Sequence, residues 1–378
     1  MGDIGTTAHT PEPHGTPASA EDGGRMLVMR ALGLGDFLTA VPALRALQRA
    51  FPGRRPYLAA PPGHAELLEL AGLAGWGVAP AAGTAVPDWP AAAPPDLAVN
   101  LHGRGPQSTR ALLALGPRAL WTHAHPDVAE STAGPSWPAG LHETDVWCRL
   151  LSWYGIAADP TDLRLPVPPR PDGEGAERHP DAVVVHPGAA SESRRWPPER
   201  FAAVARHLAG LGHEVVVTGG PAERERALRV AELAGLGTDR VLAGRTTLRA
   251  LAHTVAGARL VVCGDTGVAH LATAYAAPSV VLFGPVDPAR WGPRIDAPRH
   301  AALWRGRTGD PHGAETDPGL LEIGTAEVVA AAEAVLARCR PYSGTGPAHP
   351  PRPRGGADPR SESATTGGKS DSRGLPRR

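Results

Sequence analysis

Short apolar runs alternate with longer amphipathic stretches along most of this chain. That is the pattern of a parallel sheet whose strands are buried on both faces and joined by crossover helices. The first unit predicts a strand at Met26–Arg30, a turn Gly33-Leu34-Gly35-Asp36, and a helix carrying Leu38, Val41, Leu44 and Leu47 at helical spacing. Asp96–Asn100 reads as a further strand, followed by the loop His102-Gly103-Arg104-Gly105, and a helix near 144–154 closes this half. A second series follows, with strands at 182–186, 214–218, 260–263 and 279–283 and helices near 199–208, 223–233, 247–256 and 268–275. A last helical pattern covers 325–338.

The run Pro166-Val167-Pro168-Pro169-Arg170-Pro171-Asp172-Gly173 separates the two series, because proline removes donors and fixes extended geometry. At 378 residues the chain exceeds what one core usually supports. The organisation predicted is a tail at 1–24, an α/β domain at 25–165, a linker at 166–180, a second α/β domain at 181–324, a final helix at 325–340 and a tail at 341–378. Both tails are rich in Pro, Gly, Ser, Thr and charge, and have too few large apolar residues to offset the entropy of ordering. No short solenoid period is present, so the repetition is one α/β domain following another.

Composition narrows the function classes. The 38 basic and 38 acidic residues balance, so net charge recruits neither nucleic acid nor an anionic membrane. Lys369 is the only lysine, which reads as a coding bias and means that a site using lysine elsewhere has arginine here. Cys148, Cys263 and Cys339 are odd in number and far apart, which suits neither a disulfide framework nor a zinc site, and a reducing cytoplasm fits best. No segment has the apolar length of a signal core or a membrane span, so contact with a membrane is expected to be peripheral at most.

Ligands of parallel α/β sheets gather at the carboxyl ends of strands, and four groups of residues fall there. Asp36 follows a glycine at the start of the first helix, where it is either a helix cap or a carboxylate aimed into a cleft. A nicotinamide-binding reading of Gly33 and Gly35 fails at the third position, Leu38, and lacks the acidic residue after a second strand. His186-Pro187-Gly188-Ala189-Ala190 with Arg194-Arg195-Trp196-Pro197 offers a small-residue turn for backbone donors and a cation for a diphosphate. One of the two arginines is equally an ordinary solvated side chain. Gly264-Asp265-Thr266-Gly267-Val268-Ala269-His270 opens a helix with free N–H groups, and Asp265 there suits sugar hydroxyls or a cap, His270 a donor site or a buried helix face. In Gly219-Gly220-Pro221-Ala222-Glu223, Glu223 suits a ribose hydroxyl or simply the helix dipole.

The order R-x-x-x-x-G-D, HPGA, RRWP, GGPAE, GDTGVAH and FGP, from Met26 to Arg338, resembles glycosyltransferase family nine, the heptosyltransferases of bacterial cell-surface polysaccharide synthesis. The resemblance implies the α/β GT-B architecture: two facing Rossmann-like domains with parallel sheets, acceptor on the first and nucleotide-sugar on the second. It also implies that the final helix crosses back toward the first domain. Asp36 matches the general base, and Arg194 stands where the family has a lysine that stabilises the departing diphosphate. Gly188, Ala189, Glu223, Thr246, Asp265, Thr266, Gly267 and His270 match positions around the nucleotide-sugar, with Ser191 or Ser193 standing in for hydroxyls the turn 188–190 lacks. The implied reaction is inverting and needs neither metal nor cofactor, with a nucleotide-diphosphate sugar as donor and a glycan or glycolipid as acceptor. The alternatives are a GT-B nucleotide-sugar epimerase, which leaves Asp36 no acceptor to activate, and a catalytically silent nucleotide-sugar-binding scaffold.

Overall fold

The computed structural model describes residues 23–169 and 179–339. The expected tails, apart from Gly23 and Gly24, and the centre of the expected linker lie outside the described residues.

The first half builds β1 (Arg25–Met29), α1 (Leu34–Ala50), β2 (Arg55–Ala60), α2 (His64–Leu70), β3 (Gly77–Pro80), β4 (Leu97–Asn100), α3 (Gln107–Leu113), β5 (Leu120–Trp121) and α4 (Glu143–Trp153). Its strands form one parallel sheet in the order β3-β2-β1-β4-β5. Alternate residues enter different packing layers: Leu27, Met29, Ala59 and Ala98 on one face, and Met26, Val28, Leu58 and Val99 on the other. Burial on both faces is why these strands read as continuous apolar runs rather than as alternation.

The second half builds β6 (Val183–His186), α5 (Pro198–Gly210), β7 (Val215–Val217), α6 (Arg224–Ala234), α7 (Leu248–Ala256), β8 (Leu260–Gly264), α8 (Gly267–Ala274), β9 (Ser279–Leu282), α9 (Pro288–Trp291), β10 (His300–Leu303), α10 (Pro318–Leu321) and α11 (Thr325–Arg338). These strands are also parallel, in the order β10-β9-β8-β6-β7. A single bridge from Val217 to Val241, with Leu242 N–H donating to the Val217 carbonyl at 2.8 Å, adds a one-residue strand outside β7. With it, the second sheet repeats the Rossmann strand order of the first. Two sheets of this kind with helices on both faces are the GT-B arrangement that the family resemblance implies.

The two halves share one core. A single apolar cluster runs from Met26 and Leu44 through Trp147 to Val268, Leu271 and Phe283. Helices α1 and α8 pack together across the junction. Around them the Arg249 N–H donates to Glu66 at 2.8 Å, Arg294 pairs with Asp145 at 3.0 Å, and Leu165 N–H donates to the Ala274 carbonyl at 3.2 Å. Helix α11 buries Val328, Ala332, Val335 and Leu336 in the core of the second sheet and packs on α5, β8, β9 and β10. Its main contacts therefore stay within the second domain, where the reading above takes it back toward the first. The reason is its single apolar stripe, which the second sheet covers.

Candidate active site

The first carboxylate stands where β1 meets α1. Gly33 is the residue before the helix, with extended backbone and no side-chain cap, and Asp36 is the third residue of the helix. Asp36 therefore does not cap α1, and its carboxylate is about one third exposed, at 30%. Its Oδ1 accepts from Arg30 Nη2 at 3.4 Å, while its carbonyl oxygen accepts from Arg30 Nε at 2.9 Å and from the Thr39 hydroxyl at 2.8 Å.

Glycines bring this point against the second domain. A Cβ on Gly35 would meet His270 Cδ2 at 2.8 Å and the Cα of Gly267 at 3.5 Å, and a Cβ on Gly267 would meet Leu34 at 2.8 Å. The amino termini of α1 and α8 thus touch almost backbone to backbone. That contact sets Asp36 beside the Gly264–His270 loop, close enough for its charge to push the Asp265 carboxyl upward. Burial is the larger cause of that upward shift, and the neighbouring Arg194 opposes it.

Asp265 is buried, and its Oδ2 lies 3.6 Å from Arg194 Nη1. Arg194 Nε donates to Ser191 Oγ at 3.2 Å, and Ser191 in turn donates to the Pro311 carbonyl. Ser193 is buried. These two serines are therefore not free hydroxyls beside the turn, as the sequence suggested. Ser191 orients Arg194, and Ser193 belongs to the packed loop. The two arginines separate as the sequence left open: Arg195 is tied to the Ala189 carbonyl at 2.9 Å and to Glu192 at 2.8 Å, whereas Arg194 faces Asp265.

Thr266 precedes α8 with extended backbone, and no side chain caps that helix. The first N–H groups of α8 and its positive dipole end therefore face the junction. His270 packs edge-on against Trp291, with ring centroids 6.0 Å apart, and its pKa is pushed down to about 3 by burial, then by His142 and Arg30. It is neutral at physiological pH.

Further along the same edge, Gly188 is buried because Glu223 occupies the place of its missing side chain: a Cβ there would lie 2.1 Å from Glu223 Oε1. The Glu223 carboxylate accepts the Gly220 N–H at 2.7 Å and stands 3.8 Å from His186 Nε2. Burial lowers the pKa of His186, against the pull of Glu223. Ala189 is buried too, leaving Ala190 as the exposed member of the turn. Thr246 is half-buried in the loop after the one-residue strand at Val241. Asp265 to Gly267, Gly188 with Ala189, Glu223 and Thr246 follow four adjacent strands: β8, β6, β7 and the Val241 strand. Three strand spacings amount to about 14 Å.

Sequence reasoning missed the groups around Asp36: Thr39, Glu143, Trp147, His64 and His102. Only Arg30 carried a signal, as the first letter of R-x-x-x-x-G-D. His102 Nδ1 accepts the Ala31 N–H at 3.2 Å, and burial brings its pKa down to about 4, with Arg30 adding to the shift and Asp36 opposing it. His64 is lowered by burial, against a backbone bond to Leu32 and the charge of Asp36. Among the described residues no group of three His, Cys, Asp or Glu is placed to hold a metal ion, and no helix is long and apolar enough to cross a membrane.

Paired Rossmann-like sheets, with a carboxylate from one beside an uncapped helix start from the other, define the chain as a protein of GT-B fold. Residues 168–308 match the family model of glycosyltransferase family 9 (heptosyltransferase), so the second domain is family-9-like. Lipopolysaccharide heptosyltransferase 1 of Escherichia coli K12 is 36% identical over 108 residues, 28% of this chain and 33% of that protein. The matched stretch is thus about a third of that relative's length. Solved structures carry the likeness across both domains. The family 9 glycosyl transferase of Veillonella parvula superposes with a TM-score of 0.65 at 20% identity, over 83% of this chain and 97% of that one. The ADP-heptose LPS heptosyltransferase II of E. coli does so with 0.62 at 20% identity, over 83% and 99%.

Proposed function

We propose that this protein is an inverting glycosyltransferase that moves a heptose from ADP-heptose to a hydroxyl of a cell-surface glycan or glycolipid, without a metal ion. The observation that carries the proposal is the meeting of Asp36 with the Asp265–Gly267 loop at the α1–α8 contact. The heptose is supported by the heptosyltransferase likeness of the second domain, and the ADP by the ADP-heptose named for similar solved structures.

In this reading Asp36 takes the proton of the acceptor hydroxyl as its oxygen attacks the anomeric carbon. The bond from that carbon to the diphosphate oxygen breaks on the opposite side, so configuration inverts and ADP leaves. Arg194 and the uncapped start of α8 receive the charge that develops on the diphosphate, the role a metal would otherwise fill. Thr266 and Gly267 supply donors at that helix start, and Asp265 and His270 bound the sugar. Glu223 and Thr246 hold the nucleoside. The enzyme acts on the cytoplasmic side, touching the membrane only peripherally through its acceptor.

The test is a melting screen against nucleotide-sugars combined with Asp36→Asn. ADP-heptose raises the melting temperature of both proteins, since a ligand of the native state stabilises it. Turnover of ADP-heptose is lost in Asp36→Asn, by about a thousandfold. A donor other than an ADP-sugar in the screen, or an active Asn variant, overturns the proposal.

A further inference from the structure

Arg30 is among the largest fully buried side chains of the protein, 1% exposed, and a charge so placed must be answered on every donor. Its Nε donates to the Asp36 carbonyl at 2.9 Å and its Nη1 to the Leu101 carbonyl at 2.7 Å. Its Nη2 reaches three oxygens: Glu143 Oε1 at 3.0 Å, Thr39 Oγ1 at 3.1 Å and Asp36 Oδ1 at 3.4 Å. The guanidinium lies over the ring of Trp147 at 4.8 Å, and Trp147 Nε1 donates to the same Glu143 oxygen at 3.1 Å. One cation therefore grips the main chain and the side chain of Asp36 at once, while its closest ionic partner is a different carboxylate on α4.

We propose that Arg30 and Glu143 act as a positioning pair that fixes the aim of the Asp36 carboxylate and sets its basicity; the proposal rests on the reading of Asp36 as the general base. A cation given wholly to Asp36 would stabilise the anion and weaken it as a base. Shared with Glu143, it holds the carboxylate in place while surrendering part of its charge to a buried partner. The charged and titratable groups around Asp36 are Arg30, just after β1, His64 from α2, His102 after β4, Asp265 from the second domain, and His270, which packs on the neighbouring Gly35. The three histidines have depressed pKa values and are neutral near pH 7. Arg30 and its Glu143 partner thus dominate the field from the first domain.

The test follows the Asp36 carboxyl by NMR titration of carbon-13 aspartate-labelled full-length protein, its signal assigned by loss in Asp36→Asn. Glu143→Gln keeps the oxygen that Arg30 and Trp147 bond but removes its charge, and moves the Asp36 titration down by about one pH unit. Arg30→Met moves it up by a similar amount, and Arg30→Lys returns it to within about half a unit of the parent. The acid limb of ADP-heptose turnover follows in the same directions. Should Arg30→Met fail to fold, Glu143→Gln decides alone, being isosteric. A Glu143→Gln titration that stays put or rises overturns the proposal. Full turnover in Asp36→Asn would sink the general-base reading instead, while the titration still reads the coupling.

Discussion

Replacing Gly35 by alanine places one methyl group at the closest approach of the two domains. Its carbon would lie 2.8 Å from His270 Cδ2 and 3.3 Å from His270 Nε2, where carbon atoms normally rest at about 3.5–4 Å. The deficit of about 0.7 Å must be met by the ring, which Trp291 and the core confine, or by parting α1 from α8. Such overpacking costs about 1–3 kcal/mol, offset by the roughly 1 kcal/mol that alanine gains over glycine in a helix. The net loss is about 0–2 kcal/mol, a fall in melting temperature of up to a few degrees for a protein of this size. Function suffers more, because about 1 Å of misplacement between reacting groups can cost a hundredfold in rate. Gly210, also helical but with open space around its α-carbon, is the control, and Gly210→Ala should raise the melting temperature slightly. The assay pairs thermal melting and ADP binding by calorimetry with ADP release from ADP-heptose. Gly35→Ala should bind ADP within about threefold of the parent and turn over about a hundredfold more slowly. Unchanged melting and turnover would refute the reasoning, since the helix starts would then not be in contact in solution.

Gly188→Ala drives the Glu223 carboxylate from its place at the Gly220 N–H, a charge-assisted bond, and should weaken ADP binding about tenfold in calorimetry. Arg194→Gln should slow ADP-heptose turnover about a hundredfold. Arg195→Gln, which loses bonds to Ala189 and Glu192, should instead lower the melting temperature and leave turnover within about threefold. Acid should destabilise the protein in a defined window. His102, His123 and His300 have folded pKa values near 4 and His270 near 3, below the ordinary 6.5, chiefly through burial. The unfolded chain then binds protons that the native state refuses, so this contribution is complete above pH 6.5 and is lost as pH falls toward about 4. His123→Phe, buried against Trp137 and Trp147, should flatten that fall in melting scans, and an unaltered slope would count against it.

The order of elements and the strand-end turns that carry the candidate site were written in the chain because both depend on local pattern. Valine-rich runs such as Val183–Val185 and Val215–Val217 are buried on both faces, which no surface strand tolerates, and the small-residue turns after them mark strand ends. Strands lacking that signature were silent. Arg55–Ala60 contains a proline and two alanines, His300–Leu303 is a half-exposed edge, and Val241 pairs through a single bridge. What no pattern contained was the pairing of distant charges. The arginine of R-x-x-x-x-G-D is legible as a residue, but its burial against Glu143 and Trp147, over 100 positions away, arises only when α4 packs on α1. Likewise Asp36 and Asp265 each close a local turn, and only the contact of α1 with α8 puts them in one electrostatic neighbourhood. Hydrophobic periodicity reports which face of an element is covered and not by what. Which carboxylate meets which cation is therefore settled by packing, as is the choice of α11 to stay on the second sheet.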